Sequence, residues 1–573
     1  MATSSSEDED NAEFYETLRL FGSDTLQFFP GDDGSDVELS SVHSSDLEDR
    51  DSTEFDLGSD DDDIHASASS NVNMEGDWHI QVEDPCLQSF NAHVGPREPL
   101  HFDARPIDYF MQVMPEEIFE IMTEETNRYA AQRGRTFQPT TVQEMKAYLG
   151  IHLKMGVIVL PSYRDYWSSD PDLHQEGVAS VMSRNRYEDL ASNFHLANND
   201  ENPPYGAPDF DRLHKVRSII IMLKERFAAL YDPHREVAVY EAMMKFKGRC
   251  SFLQYMAAKP TKWGIKAWAL CDSHSYYMLD FNVYTGKDST RDVNVPLATK
   301  VVKDLMAPLY HKFHHVYFDS FFTSLPLLTE LKEMETYACG TVRTNRRGLP
   351  PSIKTSRLRQ PGESIKRQRD GVLAIAYCQK KKKVCLLSTA NVVGDGEVRQ
   401  HGKRGMPGRT IPKPVAILEY SDHFNGVDKN DQMRQLYSVA LKAYKFWKYI
   451  FWFLCDVSLL NAYILHKEAP GGPRPKILSH KNFQLSVANG LIGGFTSRKR
   501  KFSPRLDPPP AKIPKTDHVA VKIQSKRGKR NCVLCSREGR TTASGQKCQT
   551  RTECKVCKVA LCEEKGCFAK WHM

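Results

Sequence analysis

The sequence predicts a multi-domain α/β protein: a mixed-sheet core carrying an insertion, helical segments on both sides of it, and a small cysteine-rich tail. Three observations lead there. Apolar residues recur every three or four positions over about 100–235 and again over 446–464, but alternate over 236–345. The stretch 313–324, FHHVYFDSFFTS, reads as a short buried strand that ends on Asp319 and turns into a helix at Thr323 and Ser324. Seven of the 14 cysteines crowd into 532–567. A chain of 573 residues suits roughly three or four domains.

Residues 1–85 are acidic and serine-rich, and are expected to be disordered because they cannot bury enough surface to offset chain entropy. Residues 1–64 hold 21 acids against Arg19 and Arg50, while the rest of the chain carries 75 basic residues against 52 acidic ones. The net charge of +4 therefore conceals a basic body beside an acidic tail, a balance that suits a polyanionic partner. No leader of basic then apolar residues opens the sequence. The longest apolar run, 450–465, is interrupted by Asp456 and Asn461 and is short for a membrane span. A soluble intracellular protein without a membrane partner is expected.

Residues 86–235 read as a helical domain, in which Val216, Ile219, Ile220, Leu223 and Phe227 form one stripe. Over 236–345 come a strand at 236–246, a hairpin of 265–272 and 276–285, a helix at 297–309, the strand and helix around Asp319, and a strand at 336–342. This β-β-β-α-β-α-β order is that of a ribonuclease-H-like core. Residues 346–412, rich in Arg, Lys, Gly and Pro, interrupt it with one hairpin around the Lys-rich turn 379–383. The sheet pattern is expected to resume at 414–420, PVAILEY, within a second core segment, 413–438. A long apolar helix dominates 439–496. The linker 497–530 holds 12 basic residues and two acids, and its runs 498–501 and 526–530 suit nuclear localisation or nucleic-acid contact.

Phosphodiester cleavage needs charge stabilisation on the attacking and the leaving oxygen. Two divalent ions such as Mg2+ supply it when carboxylates from different elements hold them. In a ribonuclease-H-like core those acids belong on the first strand, the fourth strand and a late helix. Asp319 ends the fourth strand, and Asp428 and Asp431, three apart, share a face of the late helix. The first-strand position falls on Tyr240, which stays neutral at pH 7 and is a poor magnesium ligand. Glu241 follows it, but neighbouring strand residues face opposite sides, so Glu241 replaces the missing acid only if the strand slips. Lys259, Lys262, Lys266, Arg343, Arg346 and Arg347 are candidates for phosphate contacts with double-stranded DNA.

In 531–573, Cys532 and Cys535 form one C-x2-C pair and Cys554 and Cys557 a second, followed by Cys562, Cys567 and His572. Cys548 is the eighth candidate. Such a set suits two zinc ions in a cross-braced arrangement, and a segment this short draws most of its folding energy from the metal. The bare chemistry fits a RING- or PHD-like protein-binding module as well as a DNA reader.

Several long, ordered stretches resemble the piggyBac-type transposase family: EETNRYA (124–130), MGVIVLPSYRDYWS (155–168), MSRNRYEDL (182–190), FKGRCSFLQYMAAKPTKWGIKAW (246–268), YFDSFFTSLPL (317–327), GTVRTNRRGLP (340–350), FNGVDKNDQM (424–433) and FWKYIFWFLCDVSLLNAYIL (446–465). The resemblance implies a cut-and-paste DDE transposase acting at TTAA sites through hairpin intermediates. It implies a ribonuclease-H-like domain with an insertion, flanking helical segments (86–235 and 439–496) for dimerisation and DNA binding, and a tail that reads the DNA end. It maps the family's acids onto Asp319, Asp428 and Asp431, the first acid onto Tyr240, and the tryptophan near the DNA end onto Trp447. Besides Tyr240, the sequence departs at Leu441, in VALKAYKFW, where the family carries an Arg-Lys pair.

The resulting expectation is a nuclear, transposase-derived, homodimeric DNA-binding protein with two zinc ions and impaired strand cleavage, using Mg2+ only where the core still functions. Its rivals are an active transposase in which Glu241 supplies the missing ligand, and an adaptor that binds chromatin proteins through the tail.

Overall fold

The apolar stripes of the N-terminal region fold as helices around one long central helix. The computed structural model describes residues 74–572 except 102, 135, 257–261, 287–294, 401–408, 442, 470–476, 498–517 and 525–527. Lys259 therefore lies outside the described residues, as do 1–73 of the expected disordered tail and most of the linker. The chain divides into two units, 1–498 and 499–573.

In the first unit, helices α1 (Pro106–Val113), α2 (Glu116–Gln132), α3 (Val142–Val157), α4 (Arg184–Asn193) and α5 (His214–Leu230) precede the sheet. Thr141 caps α3 and Ser183 caps α4, each accepting a backbone N–H from the first turn.

The sheet is built from β1 (Glu236–Lys245), β2 (Trp263–Asp272), β3 (Met278–Val283), β4 (His315–Phe318) and β5 (Tyr337–Thr341). Helix α6 (Leu297–Met306) connects β3 to β4, and α7 (Leu325–Glu333), capped by Ser324, connects β4 to β5. The strand order is β3-β2-β1-β4-β5. Neighbours β3, β2 and β1 pair antiparallel, whereas β1, β4 and β5 run parallel. The hairpin expected in the insertion does not stand apart. Strands β6 (Ser364–Arg369), β7 (Val372–Gln379) and β8 (Lys382–Ser388) extend the same sheet, with β8 pairing β5.

Three sequence expectations are corrected. Residues 414–420 do not resume the sheet. After β9 (Asp395–Gln400) and its partner β10 (Arg409–Pro414), the chain enters α8 (Val415–His423). Ala416, Ile417 and Tyr420, at helical spacing, bury against Tyr317, Tyr337 and Cys339. A short apolar run carries no period that separates helix from strand. Residues 74–85 are ordered: Trp78 is buried, donates from Nε1 to Gly348 O at 3.0 Å, and His79 pairs with Gln368 of β6. The third correction concerns the linker, whose residues Ala520–Lys522 form a strand against Thr552–Cys554 and belong to the second unit.

Helices α9 (Gly426–Gln435), α10 (Phe446–Glu468) and α11 (His480–Ile492) complete the first unit. Gly150 of α3 lets α11 come close, since a Cβ there would stand 2.8 Å from Ile492 and 2.9 Å from the Ala488 carbonyl. Helix α10 is long and apolar enough to cross a membrane, but 94% of its apolar window is buried inside the protein. Its polar interruptions are latch points. Asn461 exchanges hydrogen bonds with the Met278 backbone at 2.9 and 3.0 Å. Asp456 accepts from Ser438 Oγ at 2.6 Å and Val439 N at 2.9 Å.

Candidate active site and metal centres

Strand β1 runs on after β4 has ended. Their last parallel pair is Val239 with Phe318, so Tyr240 and Asp319 come next in register. Ala238 and Tyr240 share a face of β1. Helix α9 approaches that face through Gly426, where a Cβ would stand 3.2 Å from the Ala238 side chain. Asp428 then falls in the first turn of α9, where the helix dipole favours a carboxylate.

Burial pushes the Tyr240 phenol well above its usual range, and the Asp319 and Asp428 carboxylates push it further. Burial likewise raises the Tyr420 phenol, with the same two acids adding to it. Tyr420 lies 3.4 Å from Thr341 Oγ1 and stacks on Phe424 at 4.9 Å between ring centres. Two carboxylates and two neutral phenols thus share one corner. Asp319 also builds its own turn. Its Oδ1 accepts the Phe321 N–H at 2.9 Å, and its carbonyl accepts from Thr323 N at 3.2 Å and Oγ1 at 2.7 Å.

Asp431 does not complete that corner as expected. Its Oδ1 accepts from Arg434 Nε at 3.0 Å and Nη2 at 2.8 Å, and its Oδ2 accepts the Met243 N–H at 3.3 Å. Arg434 Nη2 also donates to Met243 O at 3.0 Å. Past Val239 the β1 edge has lost its strand partner, and this ion pair satisfies the backbone groups that β4 no longer reaches. Asp431 is therefore a clamp on β1, neutralised by an arginine three residues along its own helix.

Glu241 lies on the opposite face of β1 from Tyr240. The β1–β2 register is unbroken from Val237 to Lys245, and buried Glu241 pairs with Lys266. Lys266 also stands 5.1 Å from the Phe321 ring centre. Arg346 braces the Asp319 turn, donating to Ser320 O at 3.2 Å and Phe321 O at 2.9 Å. Lys262, Arg343 and Arg347 are exposed. Trp447, expected near a DNA end, is 2% exposed and stacks on Phe194 at 5.9 Å, so in this conformation it is a packing residue of the helical body.

In the second unit, ligand atoms gather into two clusters: His518, Cys554, Cys557 and His572, and Cys532, Cys535, Cys562 and Cys567. The two sets interleave along the chain. Tetrahedral zinc with Zn–S bonds of about 2.3 Å places its sulfurs roughly 3.8 Å apart. Cys535 Sγ lies 3.8 Å from Cys562 Sγ and 3.5 Å from Cys567 Sγ. His518 Nδ1 lies 3.3 Å from both Cys554 and Cys557 Sγ, and His572 Nε2 is 3.5 Å from Cys557 Sγ. The His572 Nδ1–H is oriented by Phe568 O at 2.8 Å, the usual outer-shell support of a ligating imidazole. The donor set fits a metal in each cluster. Cys548, the eighth candidate, belongs to neither: its Sγ faces Lys565 Nζ at 3.3 Å, and His518 is the eighth member of the two clusters. The only signal for His518 was a lone histidine in the basic linker, brought in by the Ala520–Lys522 strand.

Residues 105–463 match the model of the family described as Transposase IS4. The human PiggyBac transposable element-derived protein 2 is 26% identical over 451 residues, which cover 75% of this chain and 72% of the relative. The human PiggyBac transposable element-derived protein 3 is 26% identical over 491 residues, covering 82% and 76%. A piggyBac transposase solved by cryo-EM in a synaptic complex with hairpin DNA superposes with a TM-score of 0.64 at 24% identity, over 82% of this chain and 98% of that one. The mixed sheet is therefore a DDE transposase fold, and the chain belongs to the piggyBac-type Transposase IS4 family.

Proposed function

We propose that this chain is a nuclear DNA-binding protein derived from a piggyBac transposase, with a ribonuclease-H-like core that cleaves strands poorly. The strand order β3-β2-β1-β4-β5, with only β2 antiparallel to both neighbours in the first four, supports the fold reading. The observation that carries the functional reading is Tyr240 beside Asp319 on β1, with Glu241 held by Lys266 on the other face.

Magnesium would act here as a Lewis acid on the phosphodiester oxygens. Asp319 and Asp428 are the residues to hold it. Asp431 is committed to Arg434 and Met243, and a neutral phenol replaces the remaining acid. This set suits one ion better than two, and loss of one ligand removes part of the transition-state stabilisation.

DNA binding is supported by the basic body and by the exposed Lys262, Arg343 and Arg347. The interleaved tail clusters support two zinc ions. The basic runs 498–501 and 526–530 support a nuclear address, and the two helical segments are the candidates for a homodimer contact.

The test is excision of a TTAA-flanked plasmid element by the wild type, Asp319→Ala and Tyr240→Asp. The wild type should excise no more than Asp319→Ala, and Tyr240→Asp should excise more. Excision by the wild type that disappears in Asp319→Ala would overturn the proposal.

A further inference from the structure

A third ligand cluster lies in the first unit, at the opposite end of β1 from Lys245. Glu236 opens β1, His274 sits in the turn between β2 and β3, and His423 ends α8. One ligand atom from each lies within 4.8 Å of the others. We propose that Glu236, His274 and His423 bind a divalent transition metal of the zinc class, and that this metal fastens the α8–α9 junction to the sheet.

The chemistry and the surroundings agree with this. Two imidazoles and one carboxylate are a familiar zinc donor set that leaves the fourth position to water. Glu236 is buried, and Arg235 Nε donates to its Oε1 at 2.6 Å, leaving Oε2 turned to His274 Nε2 at 2.9 Å. The turn carrying His274 is held rigid, because Asp272 Oδ1 accepts the His274 and Ser275 N–H groups at 2.7 and 2.8 Å. Asp272 Oδ2 in turn accepts from His234 N at 2.6 Å. Ser273 Oγ donates to the His423 carbonyl at 2.7 Å and ties that turn to the end of α8.

A simple Glu236–His274 ion pair explains two of the three groups. It does not explain His423, whose half-buried ring packs 5.1 Å from His274 and 5.3 Å from Tyr317. Among the described residues, the side-chain hydrogen bond that reaches His423 ends on its carbonyl, and none is made to that ring. Tetrahedral bonds of about 2.0–2.2 Å bring ligand atoms to roughly 3.4 Å from one another. The two imidazoles, each at least partly exposed, can close that gap by rotating about their side-chain bonds. The metal would then hold α9, and with it Asp428, against β1 four residues from Tyr240.

The full-length chain is purified, loaded with zinc and dialysed, and its zinc content is read by mass spectrometry. His274→Asn and His423→Asn should each hold one zinc per chain fewer than the wild type. After cobalt exchange, the thiolate charge-transfer bands of the tail should stay unchanged in both. Equal zinc content in the wild type and both variants overturns the proposal. A measurement on the wild type alone covers the case in which a variant fails to fold. Zinc should protect His274 and His423 from diethylpyrocarbonate, mapped by peptide mass, and modification of both at the same rate with and without zinc also overturns it.

Discussion

The Asp319 corner and the cysteine tail gather polar groups in different ways: the corner sets the Tyr240 phenol beside two carboxylates, whereas the tail brings its cysteines and histidines into two four-residue clusters. The difference lies in what each unit is built on. Around Asp319, the sheet and helices bury a continuous apolar core against which Tyr240 packs. In the tail, the buried cluster is Cys532, Leu534, Cys535, Cys548, Leu561, Cys562 and Cys567, so most of the core consists of the ligands themselves. A carboxylate site laid on a finished sheet can lose a residue without harming the fold. A ligand-built domain cannot.

Metal removal breaks this comparison most severely. Structural zinc contributes about 10–16 kcal/mol to domains of this kind, so a strong chelator should unfold 518–572 completely and leave the melting of the first unit's helical body in place. Cys535→Ser should do the same. Limited proteolysis reads it: the tail should be digested in chelator and protected in zinc. A tail that stays protected in chelator would mean that its apolar residues suffice.

Within the first unit, Asp431 and Asp319 should separate sharply. Arg434→Met leaves Asp431 charged and buried, a change that costs about 3–5 kcal/mol when a buried pair is broken. Asp319→Asn keeps the side-chain oxygen that caps the turn, and should change stability by less than about 1 kcal/mol. Urea denaturation of the two variants measures both. Equal losses would mean that Asp431 is no more structural than Asp319.

Much of this was legible in the sequence. Alternation marked β1 to β5 in the right order, and the apolar FHHVYF run ending in an acid marked the exit of β4. What failed did so for physical reasons. PVAILEY is too short for its period to distinguish a strand from a helix. The ordered stretch around Trp78 gains its stability from Gly348 and Gln368, hundreds of residues away. His518 reaches the tail cluster only through strand pairing across the linker. The role of Asp431 had a visible signal, Arg434 three positions on, but its target is a backbone edge that exists only once β4 has stopped short. Trp447 followed the ordinary rule for a tryptophan on an apolar helix, and is buried.

The helical body also carries an electrostatic load of its own. Burial pushes the Asp456 carboxyl up to about 7, against hydrogen bonds from Ser438 and Val439 that pull it down. Between the unfolded value near 4 and about 7, the folded protein holds a proton that the unfolded chain releases. The stability of the first unit should therefore fall as pH rises through that window, and Asp456→Asn should flatten the slope. Urea midpoints between pH 4.5 and 7.5 show it, and an unchanged slope in the variant would assign the dependence to other groups.

The smallest effect is the one that bears most directly on residue 240. Tyr240→Asp sets a third carboxylate beside Asp319 and Asp428 and should destabilise the apo protein through like-charge repulsion. If the corner still has the shape of a metal site, magnesium should reverse that loss. At a magnesium concentration ten times the dissociation constant, binding contributes about 1.4 kcal/mol. For a unit of this size, that is a rise in melting temperature of roughly 1–2 °C. The wild type, whose phenol replaces the acid, should show a smaller shift or none. A shift equal to the wild type's would mean that the corner does not have the shape of a metal site, so that the proposed weak cleavage would no longer rest on residue 240 alone.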